Sequence, residues 1–365
     1  MPTTMLFAPT PDQAALRDSF RRFCAAPETQ RSGAGGARKT WRALADMGIP
    51  GVLVPEHLGG SEGSLADAAI VSQELGRSLI LSPFLPVAVL TARFLTSGPT
   101  AGRASQVLER LTDGNGITVL AHDEDRSRGL PATRAVALGG KRFLLNGAKA
   151  LVPFADIADT YLISTRLDAD GAAGDGPAFF CVDARTPGVS CAPLHLLDGT
   201  PVANVSLTDV SLDAEALVSP PGASLQRLLA AQRSAAVCAC AEMVGIMDGV
   251  LSAVRSHLGA RSQYGAALNT FQVLQHRFAD MYAATELARA MLQHMLVADV
   301  DPDRPPADGA AAAAFAYVAA KGQFVTSNGI QLHGAVAMTE GHRAGCYFRR
   351  LRVLSTLYAA DGDQR

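Results

Sequence analysis

The sequence predicts an α+β architecture in three domains. An N-terminal helical domain is expected over residues 1–114, a middle β-barrel or β-sandwich domain over 115–214, and a C-terminal four-helix bundle over 215–365. Three observations predict it. Apolar residues recur three and four apart in the first third. Short β-rich runs punctuated by Gly, Asn, Asp and Pro fill the middle, and the helical period returns in long stretches at the end. A chain of 365 residues also exceeds what one hydrophobic core usually serves.

In order along the chain, "PDQAALRDSFRRFCA" and "TWRALADMGI" carry the helical period. "SLADAAIVSQELGRSLILSPFLPVAVLTARFL" follows, with Ser64 as an N-cap and Pro83 dividing two helices. The strand candidates are "ITVLAH", "RAVALGG", "KRFLLNG", "TYLISTR", "PAFFCVDA" and "VANVSLTDVSL", and "DADGAAGDGP" from Asp168 to Pro177 reads as a hairpin connection. After "SPPGAS", a long helix is expected from Leu225 as far as Gly265. Three more are expected in "TFQVLQHRFADMYAATELARAMLQHMLVAD", in the Ala-rich run from Ala310 and in "AGCYFRRLRVLSTLY". Short links between long helices imply an antiparallel bundle.

Composition excludes several classes. With 48% hydrophobic residues, 18% charged residues and a net charge of -2, the chain has no basic stripe for nucleic acid. No run of about 20 apolar residues is evident for a bilayer span, and the N-terminus lacks signal-peptide order, so a cytoplasmic protein without membrane partners is expected. The six cysteines are scattered, and Cys238 and Cys240 form C-x-C in an apolar helical run, which reads as buried free thiols rather than a metal site.

Nucleotide signatures of the common kinds are absent. "SGAGGA" at Ser32–Ala37 follows no strand and reads as a surface loop, and there is no Gly-Lys-Ser/Thr phosphate loop. Other segments carry more: "WRALADMGIPGVLVPEHLGG" near the front, then "ARSQYGAALNTFQVLQHRFADM" and "QLHGAVAMTEGHRAGCYFRR". Taken alone, Arg261 reads as a surface cation at a helix end and Gly334 as a helix C-cap. Equally, an Arg at a helix end can fork onto a diphosphate, and a Gly can let backbone N–H groups approach an anionic or adenine moiety.

With these motifs in helices, β domain, helices order, the chain resembles the acyl-CoA dehydrogenase family over almost its whole length. The resemblance implies FAD as cofactor, an acyl-CoA thioester as substrate, electron-transfer flavoprotein as electron acceptor and a role in fatty acid or lipid degradation. It also implies a homo- or hetero-oligomer with a related acyl-CoA dehydrogenase chain. The residues matching the family's diphosphate and adenosine contacts are Arg261, Tyr264, Gln272, Gln331 and Gly334, with Ala335 in place of the second Gly of the Gln-x-x-Gly-Gly turn.

Other family positions depart from the pattern. Ala121 and His122 stand where a Ser/Thr-Glu pair usually faces the flavin ring, and Leu151, Val152 and Pro153 stand where a Trp-Ile-Thr-like triplet does. Proline supplies neither a hydroxyl nor an N–H. The usual catalytic Glu position is Tyr358, and the alternative base position on the long bundle helix is Ala235. A phenol with a pKa of about 10 is a poor base near neutral pH. Asp361 and Asp363 are weak candidates a few residues further on. Ala236 replaces a substrate-supporting Arg, for which Arg233, one turn earlier, is a weak substitute.

The groups that would reach a neighbour's FAD are therefore retained, and those that would act on the chain's own flavin are not. This combination resembles the smaller, non-catalytic type of subunit in heteromeric acyl-CoA dehydrogenases. The alternatives are a self-sufficient homo-oligomeric dehydrogenase using Asp361 or Asp363, and a different flavin-dependent oxidation on the same fold.

Overall fold

The computed structural model of the chain describes residues 9–26, 36–124, 131–138, 142–168, 176–300 and 309–359. It divides into two compact units, one of Met1–Arg31, Leu65–Leu81 and Ala236–Arg365 and one of Ser32–Ser64 and Ser82–Ala235. The helices are α1 (Pro11–Ala25), α2 (Ala37–Ala45), α3 (Leu65–Ser78), α4 (Ala92–Thr96), α5 (Arg103–Thr112), α6 (Ser224–Ala260), α7 (Gln272–Val300), α8 (Ala310–His333) and α9 (Arg343–Leu357).

In the first unit, α1 begins with a capping box: the Gln13 N–H donates to Thr10 Oγ1 at 3.2 Å, and the Thr10 N–H donates to Gln13 Oε1 at 3.1 Å. Helices α3 and α6 come together at Gly245, where an added Cβ would stand 1.8 Å from the Gln73 carbonyl oxygen. No larger residue fits there without parting the helices. Ion pairs lie inside this unit. Arg350 Nε donates to Glu242 Oε1 at 2.6 Å, both side chains buried, and Asp248 accepts from Arg289 at 2.6 Å and from Gln73 at 3.1 Å.

An 18-residue window of α6 has a mean hydropathy of 1.7, enough by composition for a bilayer span, which corrects the expectation that no such run exists. Because 83% of that window is buried inside the protein, its composition is that of a core helix.

The second unit is built on an eight-stranded sheet of β1 (Thr118–Ala121), β2 (Arg134–Leu138), β3 (Arg142–Pro153), β4 (Thr160–Asp168), β5 (Ala178–Asp183), β6 (Val189–His195), β7 (Pro201–Asp213) and β8 (Leu217–Ser219). Its order is β6-β7-β3-β2-β4-β5-β8, with β1 alongside β4. The sheet is mixed, since β1 and β2 each run parallel to β4 and the other pairs are antiparallel. The six expected strand runs all form strands. β6 and β8 are additional, and β6 escaped notice because it is an exposed edge strand containing Pro193 and has no buried face to impose alternation.

A π-helix, Phe84–Thr91, follows the predicted break at Pro83. Pro86 within it cannot donate a backbone bond, and its carbonyl accepts from Thr91 Oγ1 at 2.8 Å. The bulk of the "SGAGGA" and "DADGAAGDGP" segments lies outside the described residues. No disulfide links the six cysteines, and Cys191 on β6 is exposed, which corrects the expectation that all are buried.

Candidate functional site

Helix α6 stops at Ala260 and does not run on to Gly265 as the apolar pattern suggested. The Arg261 N–H still bonds the His257 carbonyl at 3.0 Å. The chain then makes a two-residue hairpin, β9 (Ser262–Gln263) against β10 (Ala266–Ala267). Its turn residues Tyr264 and Gly265 have φ of 54° and 79°. A two-residue hairpin of this hand needs positive φ at both central positions, which is easy for glycine and strained for tyrosine. The hairpin closes with the Leu268 N–H on the Arg261 carbonyl at 2.8 Å.

Tyr264 is 93% exposed, and its ring stands edge-on to Phe271 at 6.4 Å, beside the start of α7 at Gln272. Arg261 and Gln272 are exposed as well. Among the described residues, no hydrogen bond or ion pair joins the Arg261 guanidinium to another side chain.

The second half of this face comes from the end of α8. Gln331 is exposed, and Gly334 caps the helix at φ 70°, ψ -153°, a conformation essentially restricted to glycine. An added Cβ there would meet nothing within 4 Å, so the backbone at Gly334 is open. Ala335 lies in the 3-10 turn Gly334–Met338 without positive φ, so an alanine is conformationally acceptable in place of the second glycine.

Three imidazoles connect the two halves. The His257 ring, one turn before Arg261, lies 4.7 Å from His333, and His333 lies 5.1 Å from His342. His333 Nδ1–H donates to the Gly329 carbonyl at 2.7 Å, and His342 Nδ1 caps α9 by accepting from the Ala344 N–H at 3.2 Å. Sequence reasoning passed over these histidines, although their positions directly before Gly334 and one turn before Arg261 were visible. Val273, Val336 and Met338, all exposed, add apolar surface to the same segments.

In the β unit, Ala121 ends β1 fully buried. Ser164 Oγ lies 2.9 Å from His122 Nδ1 and accepts from Lys149 Nζ at 2.9 Å. Lys149 Nζ also donates to Glu124 Oε1 at 2.5 Å and to the His122 carbonyl at 3.3 Å. The Glu124 carboxylate further accepts from Thr133 Oγ1 at 2.7 Å and from the Thr133 and Ala132 N–H groups at 3.1 and 2.6 Å. Burial alone would raise the Glu124 pKa, but the Lys149 and Thr133 bonds outweigh it and hold the carboxyl down at about 2. Burial lowers the Lys149 ammonium to about 8 against the opposing pull of Glu124. Nothing in the residue pattern points to this pair, whose members lie on different segments.

At the end of β3, Leu151 and Phe154 have φ of 50° and 57°, and the pairing with β7 shifts register between Lys149 and Val152. The Leu151 N–H donates to Asn204 Oδ1 at 3.0 Å, and the half-buried Pro153, followed by the left-handed Phe154, has no N–H to donate.

Tyr358 is the half-buried C-cap of α9, its N–H bonding the Leu354 carbonyl at 3.2 Å. Asp361 and Asp363 lie outside the described residues. On α6, Ala235 and Ala236 are buried and Arg233 is exposed.

Comparison with known proteins gives a consistent result. The family model described as acyl-CoA dehydrogenase, N-terminal domain, matches residues 10–115, and that described as acyl-CoA dehydrogenase, C-terminal domain, matches residues 226–358. The acyl-CoA dehydrogenase IpdE2 of Mycobacterium tuberculosis is 30% identical over 311 residues, covering 85% of this chain and 79% of the relative. A solved structure of the Tcur3481-Tcur3483 steroid ACAD, a variant, is 26% identical with a TM-score of 0.80 over 96% of this chain and 94% of that one. The ChsE4-ChsE5 complex of Mycobacterium tuberculosis has the same fold, with a TM-score of 0.81 at 23% identity over 96% of this chain and 94% of that one.

Proposed function

The chain belongs to the acyl-CoA dehydrogenase family of FAD-dependent oxidoreductases, and from that premise we propose that it acts as a partner subunit, lending one half of an FAD site to a related catalytic chain. The observation that carries this reading is the exposed Arg261, without a side-chain partner among the described residues, at the base of a hairpin strained at Tyr264.

A guanidinium without a counter-charge, next to a glycine-only backbone turn, suits a diphosphate and an adenosine. Arg261 would fork onto the diphosphate, Gln272 and Gln331 would bond the adenosine end, and Gly334 would admit it to the backbone. Exposed apolar residues on the same segments, Tyr264, Val273, Val336 and Met338, are what a protein partner would cover. The β unit does not suit the isoalloxazine in the same way. Ala121 has no hydroxyl, Pro153 has no N–H, and Lys149, Glu124 and Ser164 are occupied with one another.

FAD, when bound, supplies the hydride acceptor for α,β-desaturation of an acyl-CoA thioester. The base that removes the α proton belongs, in this reading, to the partner chain, because Tyr358 and Ala235 stand at this chain's two base positions. Electron-transfer flavoprotein would then receive the electrons. The ChsE4-ChsE5 structure, which shares the fold, is a complex, and this supports a heteromeric assembly.

The test is the flavin content of the chain purified alone and purified with a co-expressed relative that has an intact catalytic Glu. Little FAD and no acyl-CoA oxidation alone, with both appearing in the mixed complex, is the expected outcome. Stoichiometric FAD with turnover in the isolated chain would overturn it.

A further inference from the structure

The histidine stack joins the two motifs of the face and has no part in the proposed flavin contacts. The Arg261 N–H bonds the His257 carbonyl at 3.0 Å, so His257 stands one turn before Arg261 at the end of α6. Behind His257 lie the His333 and His342 rings, at 4.7 Å and then a further 5.1 Å. The stack does not suit a metal. Among the described residues no group of His, Cys, Asp and Glu is disposed to hold one, and two of the three rings spend Nδ1 on backbone groups.

We propose that His257 is a second ligand of the anionic group beside Arg261, neutral while the site is empty and protonated when a diphosphate seats. The inference rests on the reading of Arg261 as a diphosphate ligand.

The charges acting on the stack support it. Desolvation, then His333, Arg261 and His342, depress the His257 pKa, and desolvation followed by His333 depresses that of His342. Among the described residues, no carboxylate is one of the groups that shift either ring. Among the described residues, the groups acting on the His257 ring are therefore all basic and favour its neutral form. An anion reverses the balance, since its charge raises the pKa of an adjoining imidazole. Protonating His342 at Nδ1 would forfeit the α9 cap, and of the three rings it is His257 that stands one turn from Arg261, so the proton is assigned to His257.

The test is calorimetric titration of the full chain with ADP-ribose, near pH 6 and near pH 8. ADP-ribose carries an adenosine diphosphate without the flavin ring, and its diester phosphates keep their charge across that range. Binding about tenfold tighter at the lower pH is expected, with proton uptake, the size that one imidazole shifted across this window produces. H257Q should keep the affinity found near pH 8 and lose the gain near pH 6, while H257K should bind at both pH values as tightly as the wild type does near pH 6.

Binding that needs Arg261 but does not change with pH would overturn this inference and leave the Arg261 reading standing. A pH gain that survives in H257Q would also overturn it. No binding, or binding indifferent to R261A, would overturn both.

Discussion

Around Arg261 the helical unit leaves a guanidinium, a left-handed tyrosine and a glycine-only turn open to solvent, whereas around Lys149 the β unit encloses its charges in a closed set of bonds. Arg261, Tyr264 and Gln272 are exposed. The Lys149 and Glu124 side chains are 0% and 4% exposed. Satisfied buried charges support a fold and have little left to offer a ligand, while uncompensated exposed ones are available to a partner. In the partner-subunit reading proposed above, this difference separates the half of the flavin site that this chain would lend from the half that it would not.

The largest expected effect breaks the closed cluster. Glu124→Gln leaves the Lys149 ammonium buried without its counter-charge and should cost about 3 to 5 kcal/mol in urea unfolding, without altering any property of the Arg261 face. The same carboxyl gives a pH signature. Its folded pKa is held below the ordinary carboxylate value, so its stabilisation is present above about pH 4 and is lost as pH falls through about 2. A stability profile flat over that range would show that the pair contributes nothing.

Much of the fold was legible. Helical periodicity marked the bundle, and β-branched runs marked six strands. The hairpin at 262–267 was not legible, because Ser, Gln and Ala carry no strand signal and Tyr-Gly lacks the Asn-Gly turn signature, so the apolar pattern of α6 ran on through it. β6 was missed for want of a buried face. In the candidate site, Arg261, Tyr264, Gln272, Gln331 and Gly334 were proposed through the family resemblance. Lys149–Glu124 and the histidine stack could not, because each depends on which segments the tertiary fold brings together.

Two substitutions sharpen the exposed side. Gly334→Ala, although sterically open, forces alanine into a glycine-only conformation and should cost about 1 to 3 kcal/mol, read by thermal or chemical unfolding. Tyr264→Asn places a residue tolerant of left-handed φ in the hairpin turn. It should stabilise the isolated chain by about 0.5 to 1 kcal/mol while weakening association with a catalytic partner, measured by denaturation and by analytical ultracentrifugation. A gain in both would mean the strain serves no interface.

The smallest effect is acid sensitivity of the isolated chain near the histidines. The folded pKa values of His257 and His342 lie below their ordinary value of about 6.5, so the unfolded chain binds more protons in that window. Stability should decline slightly as pH falls below about 6.5, and replacing both rings with Gln should flatten the decline in melting temperature.

The most direct test of the partner-subunit account is titration of FAD into the mixed complex with and without Arg261→Ala. The account predicts a loss of about 1.5 to 3 kcal/mol in FAD affinity, the worth of a hydrogen bond to a charged group, with the complex still assembled. Unchanged FAD affinity with only a slightly lower melting temperature would make Arg261 a helix-end residue worth about 0.3 to 1 kcal/mol of stability, and would contradict the account.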